Sequence, residues 1–415
     1  MKKFFGLIAI AILCMSLISL LTLTVDAQAP TSWPTFHGDV AHTGYSNGQG
    51  PSTNQTLWVF KTKGEVWSSP AVADGNVYIA SFDKNIYALN AATGKETWSY
   101  PLGDITFSSP AVANGLVYIG SDDKNLYALN ATTGALSWKY TTGNSVQSNP
   151  TVSNGIVYFG SSDNKFYAVD ATTGKLVWSF ATGGNVISSA AVSGGVVYFG
   201  SYDHKVYALD ALTGAEKWNF TTGNVIQSSP VVANGNVYVG SFDNQTYALN
   251  ADTGALVWKV LTGYDQCVQA SPGYANGIVY TGGSFDGKVY ALDASTGATE
   301  WNYPTGGGIF TAPAIVGTTE YVGSLDNKTY ALNVKTGALI WSYQTGGNIY
   351  SSPAVANGVV YFGSYDGNVY AVGQKPASTA PSSSAGLPAM DYYLILTAVL
   401  IIVIVVAIAV LRRRR

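Results

Sequence analysis

The chain has 415 residues, only 11% of them charged, with 46 glycines and 28 tyrosines. That composition suits many short strands joined by tight turns, and the absence of a basic stripe excludes nucleic acid as a partner. Setting aside Lys2, Lys3, Arg412–Arg415, Asp26 and Asp391, 15 basic residues face 22 acidic ones, and the two cysteines, Cys14 and Cys267, leave the body without an internal disulfide.

Lys2 and Lys3 precede an uncharged apolar run from Phe4 to Thr24, followed by Ala27-Gln28-Ala29. This layout predicts a secretory signal peptide over residues 1–29, with an uncleaved anchor as the alternative. Residues 30–55 read as a leader that packs on the body. It contains His37, Asp39 and His42. These read as packed or solvated residues, with a small metal site as the sharper alternative; no metal is assigned.

The body is repetitive. Triplets of the type Ser68-Ser69-Pro70 recur at Ser108, Ser148, Ser188, Ser228, Ala270, Thr311 and Ser351, at spacings of 40 to 42 residues. A period near 40 with strand-like content signals a propeller or a related array. One copy predicts four strands: Ser108–Val112, Leu116–Ser121, Asn125–Asn130 and Leu136–Tyr140. Turn chemistry separates them at Asn114-Gly115, at Asp122 to Lys124 and at Thr133-Gly134. The eighth copy stops after its third strand, at Val372. A lone strand, Thr56–Phe60, stands before the first copy. Together they predict an all-β, eight-bladed β-propeller over residues 56–373, closed by its N-terminal strand.

Beyond the body, residues 374–390 are rich in Pro, Ser and Ala and read as a stalk. Residues 391–411 predict a transmembrane helix, because Tyr392–Leu411 is an uncharged run of bilayer length. The arginine tail, residues 412–415, predicts a cytoplasmic end, which places the propeller on the extracytoplasmic side of a cell membrane.

Three residue sets recur once per blade. Trp58, Trp98, Trp138, Trp178, Trp218, Trp258, Trp301 and Trp341 keep one register, as do tyrosines 87, 127, 167, 207, 247, 290, 330 and 370. Both read as packing between blades. Asp83, Asp123, Asp163, Asp203, Asp243, Asp286, Asp326 and Asp366 follow the second strands and read as acceptors for turn amides, with cation binding as the alternative. Asn54, Asn130, Asn219, Asn244 and Asn327 begin glycosylation sequons. Cys267 reads as a small buried filler, with a reactive thiol as the alternative.

The segment Ala88-Leu-Asn-Ala-Ala-Thr-Gly-Lys-Glu-Thr-Trp98, with six further copies in register, resembles the tryptophan-docking motif of the pyrroloquinoline-quinone (PQQ) propeller family. The resemblance covers residues 56–372. It implies eight blades with each tryptophan stacked on the neighbouring blade. The family includes quinoprotein dehydrogenases that bind PQQ and Ca²⁺, and the lipoprotein scaffold of the bacterial outer-membrane assembly machine. The dehydrogenases' vicinal cysteine pair and long site-building loops have no counterpart here, and no position matches their catalytic Asp.

The non-repeating positions carry the functional expectation. The residue before each first strand points toward the central mouth: Trp67, Phe107, Gln147, Ile187, Gln227, Gln269, Phe310 and Tyr350. Ring closure makes Phe310, Tyr350, Trp67 and Phe107 neighbours. One half of the mouth is then aromatic and the other mostly glutamine, with Tyr264 to Cys267 on the same face. Such a mouth suits a glycan, a peptide end or a planar cofactor, while the bland reading is that the rings plug the axis. With three histidines and no H-E-x-x-H, P-loop or nucleophile-elbow pattern, no catalytic residue is assigned. The expectation is a membrane-anchored binding or scaffold module for envelope or surface proteins or glycans, needing no cofactor. A PQQ- and calcium-dependent oxidoreductase and a structural adhesion component are the alternatives.

Overall fold

The computed structural model describes residues 32–264 and 268–374. The expected signal peptide, the stalk beyond Gln374, the transmembrane helix and the arginine tail lie outside the described residues, as does Cys267. No helix occurs among the described residues. They form eight sheets, each with four antiparallel strands ordered from the axis outward, and one of these sheets gains a fifth, parallel strand from the leader.

Blade 1 shows how the local sequence sets the strands. Its strands are Ala71–Ala73, Asn76–Ser81, Asn85–Asn90 and Glu96–Pro101. Asp74 and Gly75, both at positive φ, make the tight first hairpin, a backbone state that most side chains disfavour. The middle strands are almost wholly buried, since neighbouring blades cover both faces. The outer strand alternates and faces solvent.

The inner strands are shorter than the sequence predicts: Ala111–Ala113 replaces Ser108–Val112. The reason lies in the triplets. Pro110 has no N–H to give a ladder. The two serines before it bond elsewhere: the Ser108 hydroxyl accepts from Gly120 N–H, and Ser109 N–H donates to the Asn149 side chain of the next blade.

Each blade interface turns on a single carbonyl. Ala131 C=O accepts from Trp98 Nε1 at 2.9 Å and from the Tyr78 hydroxyl at 3.1 Å, so both its lone pairs are used. The same pair of bonds recurs around the ring, for example at Ala211 from Trp178 and Tyr158. The tryptophan ring lies flat on the next blade's turn glycine. A Cβ on Gly134 would sit 2.7 Å from Trp98 ring atoms, so only glycine permits the stack. The recurrent tyrosines also donate to the recurrent aspartates, as Tyr167 does to Asp163 at 2.6 Å. Asp163 in turn accepts from Lys165 N–H and from Gly143 N–H of the preceding blade. The aspartates thus tie hairpin, tyrosine and neighbour together.

Closure follows the sequence expectation. Thr56–Lys61 pairs antiparallel with Asn368–Gly373 and supplies the fourth strand of blade 8. Blade 8 has no turn from its third strand to its fourth. In its place the leader brings Pro51, whose carbonyl accepts from Trp341 Nε1 and the Tyr321 hydroxyl. The last interface therefore repeats the chemistry of the others with a residue from the other end of the body.

Candidate functional site at the axial mouth

The leader builds the floor of the site. It crosses the axis and bonds to the inner strands of successive blades. Val72 and Val112 donate N–H bonds to Trp33 and Pro34 carbonyls. Val192 and Val232 donate to Val40 and Ala41, and Tyr274 and Ile315 donate to Thr43 and Gly44. Tyr45–Ser46 then pairs in parallel with Ile315 and Val316. Edge groups that would otherwise face an open channel are thereby satisfied.

His37 and His42 hold the crossing in shape. Both are buried and both sit at positive φ. His37 Nδ1 bonds to His42 C=O at 2.8 Å, and His42 Nδ1 bonds to Pro230 C=O at 3.2 Å. His42 Nε2 meets the Thr151 hydroxyl at 3.3 Å. Burial holds both imidazoles below their ordinary range, His42 at about 4. Asp39 accepts from Ala41 and Thr43 N–H and from the Thr43 hydroxyl. Burial pushes its carboxyl up despite these bonds. His42 and Asp39 are therefore spent on backbone and threonine groups, while His37 uses Nδ1 on a backbone carbonyl and keeps a buried Nε2 without a hydrogen-bond partner. No cluster of three metal-ligating side chains occurs among the described residues.

Above this floor lies an axial cavity of about 260 Å³. Phe36 of the leader closes it below. All eight predicted mouth residues, Trp67, Phe107, Gln147, Ile187, Gln227, Gln269, Phe310 and Tyr350, line it, and each is half-buried. The structure thus brings together one residue from each blade.

The aromatic half is a continuous wall. Trp67 stacks on Tyr350 with centroids 4.1 Å apart and planes 12° apart. Phe107 meets Trp67 edge-on at 5.2 Å, and Phe310 meets Tyr350 at 5.5 Å. Three rings from the second hairpins, Phe82, Tyr365 and Phe285, extend this wall outward. The rings pack on one another at one side of the axis and leave the cavity beside them.

The polar half is organised by side-chain pairs. Gln147 donates to both oxygens of Asp122, at 3.0 and 3.2 Å. Tyr202 donates to the Gln227 carbonyl oxygen at 2.9 Å. Burial raises the Asp122 carboxyl above its ordinary range, and the Gln147 bonds work against this. Tyr264, beside the longest loop, is highly exposed.

Sequence reasoning missed the deepest layer. The second residue of each triplet points at the axis: Ser69, Ser109, Asn149, Ser189, Ser229, Ser271 and Ser352 all line the cavity, while blade 7 has Ala312. Each polar member accepts a backbone N–H from the preceding blade, as Ser189 does from Asn149 and Ser229 from Ser189. The bonds run round the ring through Ser352 to Ser69, and the alanine interrupts them between Ser271 and Ala312. The signal was in the triplet itself, but a repeated serine reads as structure.

The sequon asparagines divide by exposure. Asn54, Asn130 and Asn219 are exposed, whereas Asn244 and Asn327 are half-buried in second hairpins. Asn54 Nδ2 donates to Ser342 C=O, and the Asn130 side-chain oxygen accepts from Thr132 and Thr133.

Comparison with known proteins agrees with this architecture. The family model described as "Outer membrane protein assembly factor BamB" matches residues 49–105 and 100–189. The model described as "Beta-alanine-activating enzyme, beta-propeller" matches residues 188–375. No curated protein matches the chain. Among solved structures, BamB from Moraxella catarrhalis superposes with a TM-score of 0.67 at 22% identity, covering 77% of this chain and 100% of that one. The quinohemoprotein alcohol dehydrogenase of Comamonas testosteroni gives 0.72 at 17% identity, covering 86% and 83%. A computationally designed protein, Ika8, gives 0.70 at 18% identity, covering 77% and 100%. The tryptophan docking, the eightfold closure and the two partial family matches lead to one assignment: the chain has the fold of the PQQ-like β-propellers.

Proposed function

We propose that the chain is a binding module, held at the outer face of a membrane by its C-terminal apolar run, that captures a partner or ligand at its axial mouth. One observation carries this reading. The side chains that break the eightfold repeat converge on one blind cavity, with an aromatic wall, an amide half and a floor supplied by the leader. A purely structural ring has no need to vary those eight positions while holding tryptophan, tyrosine and aspartate constant.

PQQ with Ca²⁺ is a poor fit to these walls. Calcium draws on several oxygen ligands that ordinarily include carboxylates. Among the described residues, those lining the cavity include no carboxylate and no cation. We derive no redox step and infer a non-enzymatic role.

Photo-crosslinking in native membranes tests the reading. A benzoylphenylalanine at Ile187, on the cavity wall, is expected to give a discrete adduct. The same group at Thr97, exposed on the outer strand of blade 1, is expected to give none. Equal labelling at both positions, or none at Ile187, overturns it.

A further inference from the structure

We propose that the ligand is an uncharged carbohydrate terminus that enters the mouth end-on and lays its hydroxyls on the serine ring. The inference rests on the binding reading above and names the chemistry of its ligand.

Charge comes first. Among the described residues, those that line the cavity carry no formal charge, and Asp122 behind Gln147 is already bonded to it. A net charge brought into a neutral, closed pit loses its hydration without a counter-ion, so the walls select against ions. Hydrogen-bonding capacity comes second. In the ring, Ser69, Ser109, Ser189, Ser229, Ser271 and Ser352 are each more than nine-tenths buried. Each of their oxygens accepts one backbone N–H from the neighbouring blade. A hydroxyl has one proton and two lone pairs, so each retains a donor and an acceptor site toward the axis. The bond already received polarises the O–H and strengthens it as a donor. Asn149 uses its side-chain oxygen on Ser109, which leaves its amide N–H groups as donors. The layer thus offers alternating donor and acceptor capacity with no fixed sign, which matches ligand hydroxyls that both give and take protons.

Shape and polarity come third. The cavity has one open end, because Phe36 and the leader close the other. Its volume of about 260 Å³ lies just below the range of drug-sized pockets, and suits one ring rather than a chain. Trp67 already stacks on Tyr350 and Phe82, so the apolar C–H groups of a sugar ring would pack against the cavity side of the Phe310–Tyr350–Trp67–Phe107 wall, with its remaining hydroxyls toward Gln147, Gln227 and Gln269 opposite. An apolar peptide side chain would leave the serine ring without partners, at the cost of unmade buried hydrogen bonds.

The test uses the full chain in a detergent without a sugar headgroup. Methyl glycosides of glucose, galactose, mannose and N-acetylglucosamine are titrated by calorimetry, with sodium sulfate and benzoate as competing probes. At least one glycoside is expected to bind saturably. Ser189→Ala and Gln227→Leu are each expected to weaken it at least five-fold, and Trp67→Ala at least ten-fold. Thermal melts identify any variant that fails to fold, and the remaining variants then decide. No glycoside binding, or binding unchanged in the folded variants, overturns the proposal. Binding of sulfate or benzoate in place of glycosides, lost in the same variants, overturns the carbohydrate assignment but leaves the axial-site reading standing. If nothing binds and Ile187 gives no adduct, both fall.

Discussion

Among single residues, Glu320 departs furthest from the pattern around it. It occupies the second-strand position held by Val77, Val117, Val157, Val197, Val237, Val279 and Val360. It is fully buried, and neither carboxyl oxygen has a hydrogen-bond partner. Burial drives its pKa well above the ordinary 4.5. The native state then keeps a proton that the unfolded chain releases above that pH. Its penalty is absent below about pH 4.5 and grows as pH rises toward the folded value. Replacing Glu320 with Val is expected to add about 1–3 kcal/mol at neutral pH, the usual cost of an unsatisfied buried polar group. The substitution should also make the melting temperature at pH 8, relative to that at pH 5, higher than in the wild-type chain. An identical change between pH 5 and pH 8 in the two chains contradicts this account. The sequence hid Glu320 because a single charged residue in a strand reads as solvent-facing. Only the neighbouring blade makes that face interior. The tryptophans were legible for the opposite reason, since eight copies in register leave packing as the economical explanation.

At the scale of elements, the leader is where sequence and structure diverge most. Its packing on the body was legible, but its route was not. Its main work is done by backbone carbonyls, which carry no side-chain code, and it has no repeat to align. The eight mouth positions were legible because they vary while the tryptophans, tyrosines and aspartates of the same blades repeat. The serine ring beneath them stayed hidden because it repeats too. The leader's buried histidines make a prediction about acid. Both imidazoles are held neutral by burial, His42 with a pKa of about 4 against an ordinary 6.5. Asp39 is the charged group nearest them in the leader, and it is engaged with Thr43 and Ala41. The unfolded chain takes up protons below pH 6.5 that the folded leader refuses. The histidines' contribution is therefore steady above that pH and is lost as pH drops below 6.5. His42→Asn keeps a side chain that tolerates the left-handed backbone and should shed one histidine's share of that loss. Melting temperatures at pH 7 and pH 4.5 check it. Equal acid losses in both chains would place the titrating groups elsewhere.

For the whole molecule, the closing interface decides whether the ring behaves as one unit. An open array of blades depends on nearest neighbours, and its end blades fray. Here the two ends of the body are interleaved twice, through Thr56–Lys61 in the ladder of blade 8 and through Pro51 under Trp341 and Tyr321. The leader adds bonds to six of the inner strands. Removing residues 32–61 would expose the Asn368–Gly373 edge, orphan two buried donors and open the floor of the cavity together. Two lost hydrogen bonds to buried donors alone cost roughly 2–6 kcal/mol, before the lost strand is counted. The deletion is expected to lower the melting temperature by more than 10 °C and to broaden the transition, as the blades near the gap unfold ahead of those opposite. Proteolysis during the melt should then cut blades 8 and 1 first. The intact ring is expected to melt in a single sharp step with no preferred first cut. If the deleted chain melted as sharply and as late as the intact one, the eight blades would be stable without their clasp, and the leader would serve the cavity rather than the fold.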